Sequence, residues 1–288
     1  MASVTPDVAR RAFAEEIRAG AGIQSAALIE ALAGVPRERF LGPGPWQVRG
    51  AADVGGPPRT TEDADPSRVY QDVSVAVDAA RNLYNGQPSL VAKWLEALDL
   101  RPGHHAVHIG CGTGYFTALI AHVVGTSGTV EAMDVDSALV ARARDSLRDY
   151  PWVALRAANG ATLLTTDADR ILVHAGATHV LDAWLDALAD GGRLLVPLTV
   201  EFPGMPPGIG KGVMLLVTRR GADWSAQTLA TMPVAIYSMR EVRDTSAADR
   251  VSAALMNRSL TRLSRLRRDR HEPADTCIVH SSGNCLSA

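Results

Sequence analysis

The chain has 288 residues, 47% of them hydrophobic and 21% charged, with a net charge of −2. That balance excludes a disordered chain and gives no electrostatic ground for nucleic acid as the main partner. Three cysteines, with Cys111 far from the other two, and the lack of an apolar run near the ~20 residues of a membrane span predict a soluble protein of the reducing cytoplasm, built as one large domain or a domain with an appendage.

Residues 7–19 and 24–34 have helical periodicity, through Val8, Ala12 and Ile17 and then Ala27, Leu28 and Leu32. Gly20 and Gly22 punctuate them. The stretch 41–68 holds Gly55-Gly56-Pro57-Pro58 and the acids Asp53, Glu62, Asp63 and Asp65, and predicts a long irregular loop. Loops beyond about 12–15 residues serve as lids or binding loops, or are tolerated surface insertions. From Pro88 the pattern turns regular. A helix opening at Pro88-Ser89 runs through Val91, Trp94, Leu95 and Leu98. Strands are expected at 105–110, 128–134, 152–157, 170–174 and 193–198. Between them lie helices through Phe116 and Val123, through Leu139 and Leu147 with Asp136 as cap, and through Leu181 and Leu188 ending at Gly191-Gly192. The alternation implies an α/β protein with a mostly parallel sheet and helices on both faces. Segments 213–219 and 227–239 read as late antiparallel strands, 246–269 as a helix, and the tail from Glu272 as irregular.

The densest chemistry is His108-Ile109-Gly110-Cys111-Gly112-Thr113-Gly114-Tyr115, after the first strand of this alternation. Glycines there let backbone N–H groups approach a ligand and open a helix tightly. The run is G-x-G-x-G: Tyr115 stands where a dinucleotide fingerprint has its third glycine, and no Gly-Lys-Ser/Thr follows for a P-loop. Asp134 closes the next strand about 20 residues on, where an acid binds ribose hydroxyls. A nucleoside ligand without a pyrophosphate fits this pair, and S-adenosyl-L-methionine (SAM) is the candidate.

Together with Val35-Pro36-Arg37-Glu38-Arg39-Phe40, Tyr70-Gln71-Asp72, Gln87-Pro88, Ile171-Leu172-Val173-His174-Ala175-Gly176 and Gly191–Leu198, the glycine loop resembles the class I SAM-dependent methyltransferases, and within them the protein-L-isoaspartate O-methyltransferase family. The resemblance spans residues 7–240. It implies a Rossmann-like fold with a seven-stranded sheet, arranged as N-terminal helices and an acceptor-side loop (1–87), a SAM-binding core (88–240) and a C-terminal helix and tail (241–288). It implies that Gly110, Cys111, Gly112, Thr113 and Gly114 lie along the methionine part of SAM. Asp134, with Val135 beside it, would take the ribose, and Asn159-Gly160, where the family has Asp-Gly, would sit near the adenine. His174 would face both cofactor and reacting centre. Asn85, Gly86 and Gln87 would form the catalytic segment, with Gly86 replacing the Ser that the family carries before Gln-Pro; Asn85 and Ser89 are the nearest polar groups.

A carboxylate acceptor has an ordinary pKa of about 4, so it is ionised at neutral pH and needs no general base. It must be held in line with the methyl group and partly stripped of water. An amine or phenol acceptor would need a base such as His174 or His179. The expected function is a carboxyl O-methyltransferase acting on an Asp/isoAsp-type or terminal carboxylate of a peptide or protein. The alternatives are an O- or N-methyltransferase for a small natural product, and a SAM-binding interaction module without catalysis. Tyr84 and Trp46 are candidate walls of the acceptor pocket. Residues 258–270 read as an Arg-rich amphipathic helix, able to dock an acidic peptide or simply packed with a solvated face. Cys277, His280 and Cys285, with His271 nearby, are metal-ligand types, but their spacing fits no compact zinc module and no metal is expected.

Overall fold

The computed structural model describes residues 5–50, 57–162, 165–229, 234–281 and 283–288. Asp53 and Gly55-Gly56 of the expected loop lie outside them. The chain packs as two compact units, the first comprising residues up to Gly103 with Cys111–Ala157, the second His104–Gly110 with Ala158–Ala288.

In the first unit, α1 (Pro6–Ala21) buries Phe13, Ala14 and Ile17 and stops at Gly22, whose φ is 71°. Ser25 caps α2 (Ala26–Gly34) by accepting from the Leu28 N–H. The α3 helix (Pro88–Leu98) buries Val91, Trp94, Leu95 and Leu98, and α4 (Tyr115–Val124) is buried at every position but His122. Among its described residues, the stretch 41–68 is not wholly irregular. It supplies β1 (Gln47–Arg49) and β2 (Arg59–Thr60), which with β3 (Ser74–Asp78) and β4 (Leu83–Tyr84) form an antiparallel sheet in the order β2-β1-β3-β4. Leu41, Trp46, Val48, Val69, Val73 and Val75 make its own small core. Strands of two and three residues are too short to show alternation, which is why the sequence hid them. The unit is completed by β6 (Thr129–Asp134) and β7 (Val153–Ala157), paired in parallel, with α5 (Ser137–Ser146) between them.

In the second unit, β5 (His105–Ile109), β8 (Ala168–Val173) and β9 (Leu188–Val200) are parallel neighbours. The long β10 (Ile209–Arg220) runs antiparallel to β9 and also pairs β11 (Asp223–Thr228) and β12 (Val234–Tyr237). The helix expected through Leu188 is only α6 (Asp182–Asp186); Leu188 already belongs to β9. Gly191, at φ 75°, lets the strand deform there, so the glycine pair marks an irregular strand rather than a helix end.

The C-terminal segment departs furthest from expectation. The α7 helix (Thr245–Met256) stops where Arg258 turns left-handed at φ 60°. A short 3-10 turn (Ser259–Arg262) follows, then β13 (Arg265–Arg267), β14 (Cys277–His280) and β15 (Cys285–Ser287), joined to β11 in the order β11-β13-β15-β14. Leu260, Leu263 and Leu266 are buried. Their spacing of three imitates a helix while serving a 3-10 turn and a strand. Three of the arginines are paired: Arg265 with Asp223, Arg267 with Asp269, and Arg268 with Asp186. No helix among the described residues is long and apolar enough to cross a membrane.

Candidate active site

The segment 85–89, expected to face the methyl acceptor, is built in the first unit around two side chains, Arg37 and Asp72, the first of them fully buried. Arg37 donates through Nη1 to the carbonyls of Val69 (2.7 Å) and Gln71 (3.0 Å), and through Nη2 to that of Val73 (2.6 Å). Its guanidinium lies 5.8 Å from the Phe13 ring and 5.7 Å from the Tyr115 ring. The chain is thereby wrapped around a cation, and Asp72 is presented at the turn. The Asp72 carboxylate accepts from the Ser89 N–H (2.8 Å), the Ser89 Oγ (2.6 Å) and Gln87 Nε2 (2.7 Å). Gln87 stands at the N-cap of α3 without capping it, so Asp72 does this from a remote segment. Tyr70-Gln71-Asp72 and Gln87-Pro88-Ser89, separate motifs in the sequence, meet at one carboxylate.

The Gln87 side chain is thus engaged by Asp72. Asn85 closes β3 against β4: its Oδ1 accepts from the Val75 N–H (2.9 Å) and its own N–H donates to the Val75 carbonyl (3.0 Å). Its Nδ2 is buried and has no hydrogen-bond partner. Gly86 sits at φ 86°, a left-handed conformation that glycine adopts freely. Tyr84 carries the Arg49 guanidinium 5.1 Å above its ring. Trp46 is a core residue of the small sheet, with Nε1 donating to the Gly42 carbonyl (3.0 Å). Arg81, in the turn between β3 and β4, bridges Asp78 and Asp136. It holds the Asp136 carboxyl below the usual carboxylate range.

The glycine loop follows β5. The Cys111 N–H donates to the Met133 carbonyl (3.0 Å), and the Gly112 N–H to Asp134 Oδ2 (2.8 Å), so the loop is sewn to the end of β6. Asp134 Oδ1 accepts from the Asp136 N–H (3.0 Å). The three glycines differ in purpose. A Cβ on Gly110 would approach the His174 carbonyl oxygen to 3.2 Å, and one on Gly114 would press Leu147 at 2.9 Å. A Cβ on Gly112 would meet nothing within 4 Å. Gly112 is thus the glycine whose open side is left for something other than packing. Val135, next to Asp134, is 63% exposed, which is unusual for a large apolar residue. Thr113 and Cys111 are buried, and burial pushes the Cys111 thiol up, which removes it as a nucleophile.

Gly110, Asn159, Gly160 and His174 belong to the second unit. Asn159 Oδ1 accepts from the Ala161 N–H (2.9 Å), shaping a 3-10 turn at Gly160–Thr162. Gly160 is fixed by packing: a Cβ there would fall 2.2 Å from Ile109 Cγ2, and its carbonyl accepts from Trp184 Nε1 (2.8 Å). The His174 N–H donates to the Ile109 carbonyl (2.7 Å), and its Nδ1 lies 3.4 Å from His108 Nε2. Burial pushes the His174 pKa down to about 4 and keeps both imidazoles neutral. His179 pairs through Nδ1 with Thr178 Oγ1 (3.0 Å).

The sequence reading missed Arg37 and Asp72 as the organisers of the acceptor segment. Both stood inside quoted motifs, but only the fold reveals a fully buried guanidinium. The residues fit SAM on the structure's own terms: left-handed glycines, an open side at Gly112, a carboxylate beside it, and an exposed apolar neighbour.

Comparison with known proteins bears on the same residues. The family model described as Protein-L-isoaspartate(D-aspartate) O-methyltransferase (PCMT) matches residues 60–203. A protein-L-isoaspartate O-methyltransferase from Methylorubrum populi is 32% identical over 220 residues, covering 75% of this chain and 88% of that protein. One from Methanothermobacter thermautotrophicus is 29% identical over 193 residues, covering 66% of this chain and 79% of its own. A solved protein-L-isoaspartate O-methyltransferase superposes with a TM-score of 0.63 at 20% identity, covering 91% of this chain and 72% of that one. A PCMT structure from Plasmodium falciparum in complex with S-adenosyl-L-homocysteine gives a TM-score of 0.60 at 16% identity, covering 81% of this chain and 98% of the other. The chain belongs to the protein-L-isoaspartate O-methyltransferase family, and it is a SAM-dependent methyltransferase of class I fold.

Proposed function

We propose that this enzyme methylates an aspartyl- or isoaspartyl-type carboxylate of a peptide or protein. Gly110–Gly114, Asp134, Val135, Asn159 and Gly160 are the residues that would hold SAM, which supplies an electrophilic methyl group when bound. The observation that carries the acceptor assignment is Asn85 Nδ2, a buried donor with no partner in the segment where the family places its Ser. Buried donors are nearly always satisfied, and an acceptor carboxylate would satisfy this one. His174 favours the same reading. An imidazole with a pKa of about 4 is a poor base for an amine or phenol, whereas a carboxylate needs none. The three free thiols suit the reducing cytoplasm.

The test is transfer from methyl-labelled SAM to an isoaspartyl peptide, to acidic Asp-containing peptides and to a small-molecule extract. Base-labile label on a peptide is the expected outcome, and the peptide that takes it separates isoaspartyl from aspartyl specificity. Base-stable label would sink the carboxylate assignment.

A further inference from the structure

The tail after β13 brings together four side chains that its sequence spacing kept apart. His271 leaves the turn after β13, and Cys277, His280 and Cys285 lie on the β14–β15 hairpin, where His280 stands directly opposite Cys285. One ligand atom from each of the four lies within 4.8 Å of all the others. We propose that His271, Cys277, His280 and Cys285 form a structural zinc site that staples the C-terminal hairpin.

The distances suit zinc. With Zn–S near 2.3 Å and Zn–N near 2.0–2.1 Å, a tetrahedron has N–S edges of about 3.5 Å and S–S edges of about 3.8 Å. His271 Nε2 lies 3.4 Å from Cys277 Sγ, already at such an edge. The His271 and His280 rings meet edge-on with centroids 5.0 Å apart, so their nitrogens converge without the rings stacking. Closing the longest separation takes a shift of about 1 Å, within the reach of side-chain rotation on a short hairpin.

Three further observations point to an ion. His271 Nδ1 lies 2.8 Å from the Asp269 carbonyl, which can only accept, so the proton sits on Nδ1 and Nε2 presents its lone pair. Asp269 is itself gripped by Arg267, the outer-shell arrangement that orients metal-binding histidines. His280 Nδ1 is buried and has no hydrogen-bond partner, a state that a metal would relieve. Cys285 is fully buried, and the two thiols are not bonded to each other. Two thiolates and two imidazoles within reach of one tetrahedron select zinc over harder cations.

The hairpin also needs a staple. Its strands have four and three residues, too few to hold alone. Its turn docks on the approach to α6, where Asn284 Nδ2 donates to the Val180 carbonyl (2.9 Å) and lies 3.3 Å from Asp182 Oδ1.

The test uses the full chain, expressed with zinc in the medium and purified in reductant, with metal measured by mass spectrometry. About one zinc per chain is expected, falling at least about tenfold in Cys277→Ser and His280→Ala and unchanged in Cys111→Ser. Replacement by cobalt in the unmutated chain gives a readout that needs no variant: thiolate-to-cobalt charge transfer with the intense d–d bands of a tetrahedral ion. A chain that binds neither metal with both thiols open to alkylation overturns the proposal. So does a Cys277–Cys285 disulfide in protein trapped directly from cells.

Discussion

Asp72→Asn isolates the link between the two acceptor-side motifs. The carboxylate accepts from the Ser89 N–H, the Ser89 hydroxyl and Gln87 Nε2. Asparagine keeps one accepting oxygen, enough for the Ser89 N–H, and turns an NH2 toward two groups that need an acceptor. A hydrogen bond to a charged group contributes about 1.5–3 kcal/mol, and a helix cap about 1 kcal/mol. Asp72 is only half-buried and Ser89 can rotate toward water, so the low end applies, a loss of about 2 kcal/mol. For a chain of this size that is roughly 4–8 °C in Tm. The larger consequence is for residues 85–87, which lose their anchor. Misplacement by about 1 Å costs about 100-fold in rate, so kcat/KM for an isoaspartyl peptide should fall about 10- to 100-fold. SAM affinity, set by a different loop, should change less than about threefold. Thermal melts, calorimetric SAM titration and labelled methyl transfer measure the three effects. A variant with unchanged Tm and unchanged acceptor kinetics would refute the claim that Asp72 organises this segment.

The glycines offer a graded series. Gly112→Ala should cost the fold only about 1–2 kcal/mol, from its left-handed φ of 56°, yet weaken SAM binding in calorimetry; Gly114→Ala, pressed on Leu147 as well, should lower Tm by more. Gly86→Ser tests the departure from the family: at φ 86° it should cost about 1–2 kcal/mol by denaturant titration, while raising turnover on isoaspartyl relative to aspartyl peptides. His174 is held neutral at about 4 against an unfolded value of 6.5, so the unfolded chain takes up the extra proton in acid. Its contribution is complete above pH 6.5 and is lost as the pH falls toward 4, about 2 kcal/mol between pH 7 and 4.5. Urea titrations at the two pH values should show a smaller acid loss in His174→Gln, and methyl transfer should be flat between about pH 6 and 8 because no base titrates there.

The parts of the fold legible in the sequence were those with a period or a glycine rule behind them. The strands around Ile109, Asp134 and Val173 lie within two residues of expectation because each is a short apolar run bounded by turn residues. The glycine loop and Asp134, read from their spacing as a ligand-binding pair, are joined to each other through the Gly112 N–H. Three things were not legible. The small sheet from 47 to 84 has strands of two to five residues, below the length at which alternation shows. The leucines at 260, 263 and 266 repeat every three residues, which an α-helix and a 3-10 turn running into a strand share. The four metal-ligand types in the tail form no familiar spacing, because it is strand pairing opposite His280 that gathers them.

The departure at Gly86 becomes intelligible once the supports around it are counted. Asp72 holds Gln87 and Ser89, Val75 holds both ends of Asn85, and Arg81 ties the β3–β4 turn to Asp136 beside the cofactor acid. The supports attach to residues 81, 85, 87 and 89 rather than to Gly86, and each survives a change at residue 86 itself. The family hydroxyl can therefore be lost without unravelling the loop. What its loss removes is one donor beside the acceptor, and Asn85 Nδ2, already buried and unpaired, stands one residue away. An amide reaches further than a serine hydroxyl and donates from a planar group, so it favours a carboxylate at a different depth or angle. Asn85→Ala should then abolish methylation of the enzyme's preferred acceptor, while Asn85→Asp, which puts a negative charge against the acceptor carboxylate yet preserves the Oδ1 bond to Val75, should do the same with little loss of stability. If Asn85→Asp keeps full turnover, Nδ2 does not touch the acceptor, and the change at residue 86 must be explained without it.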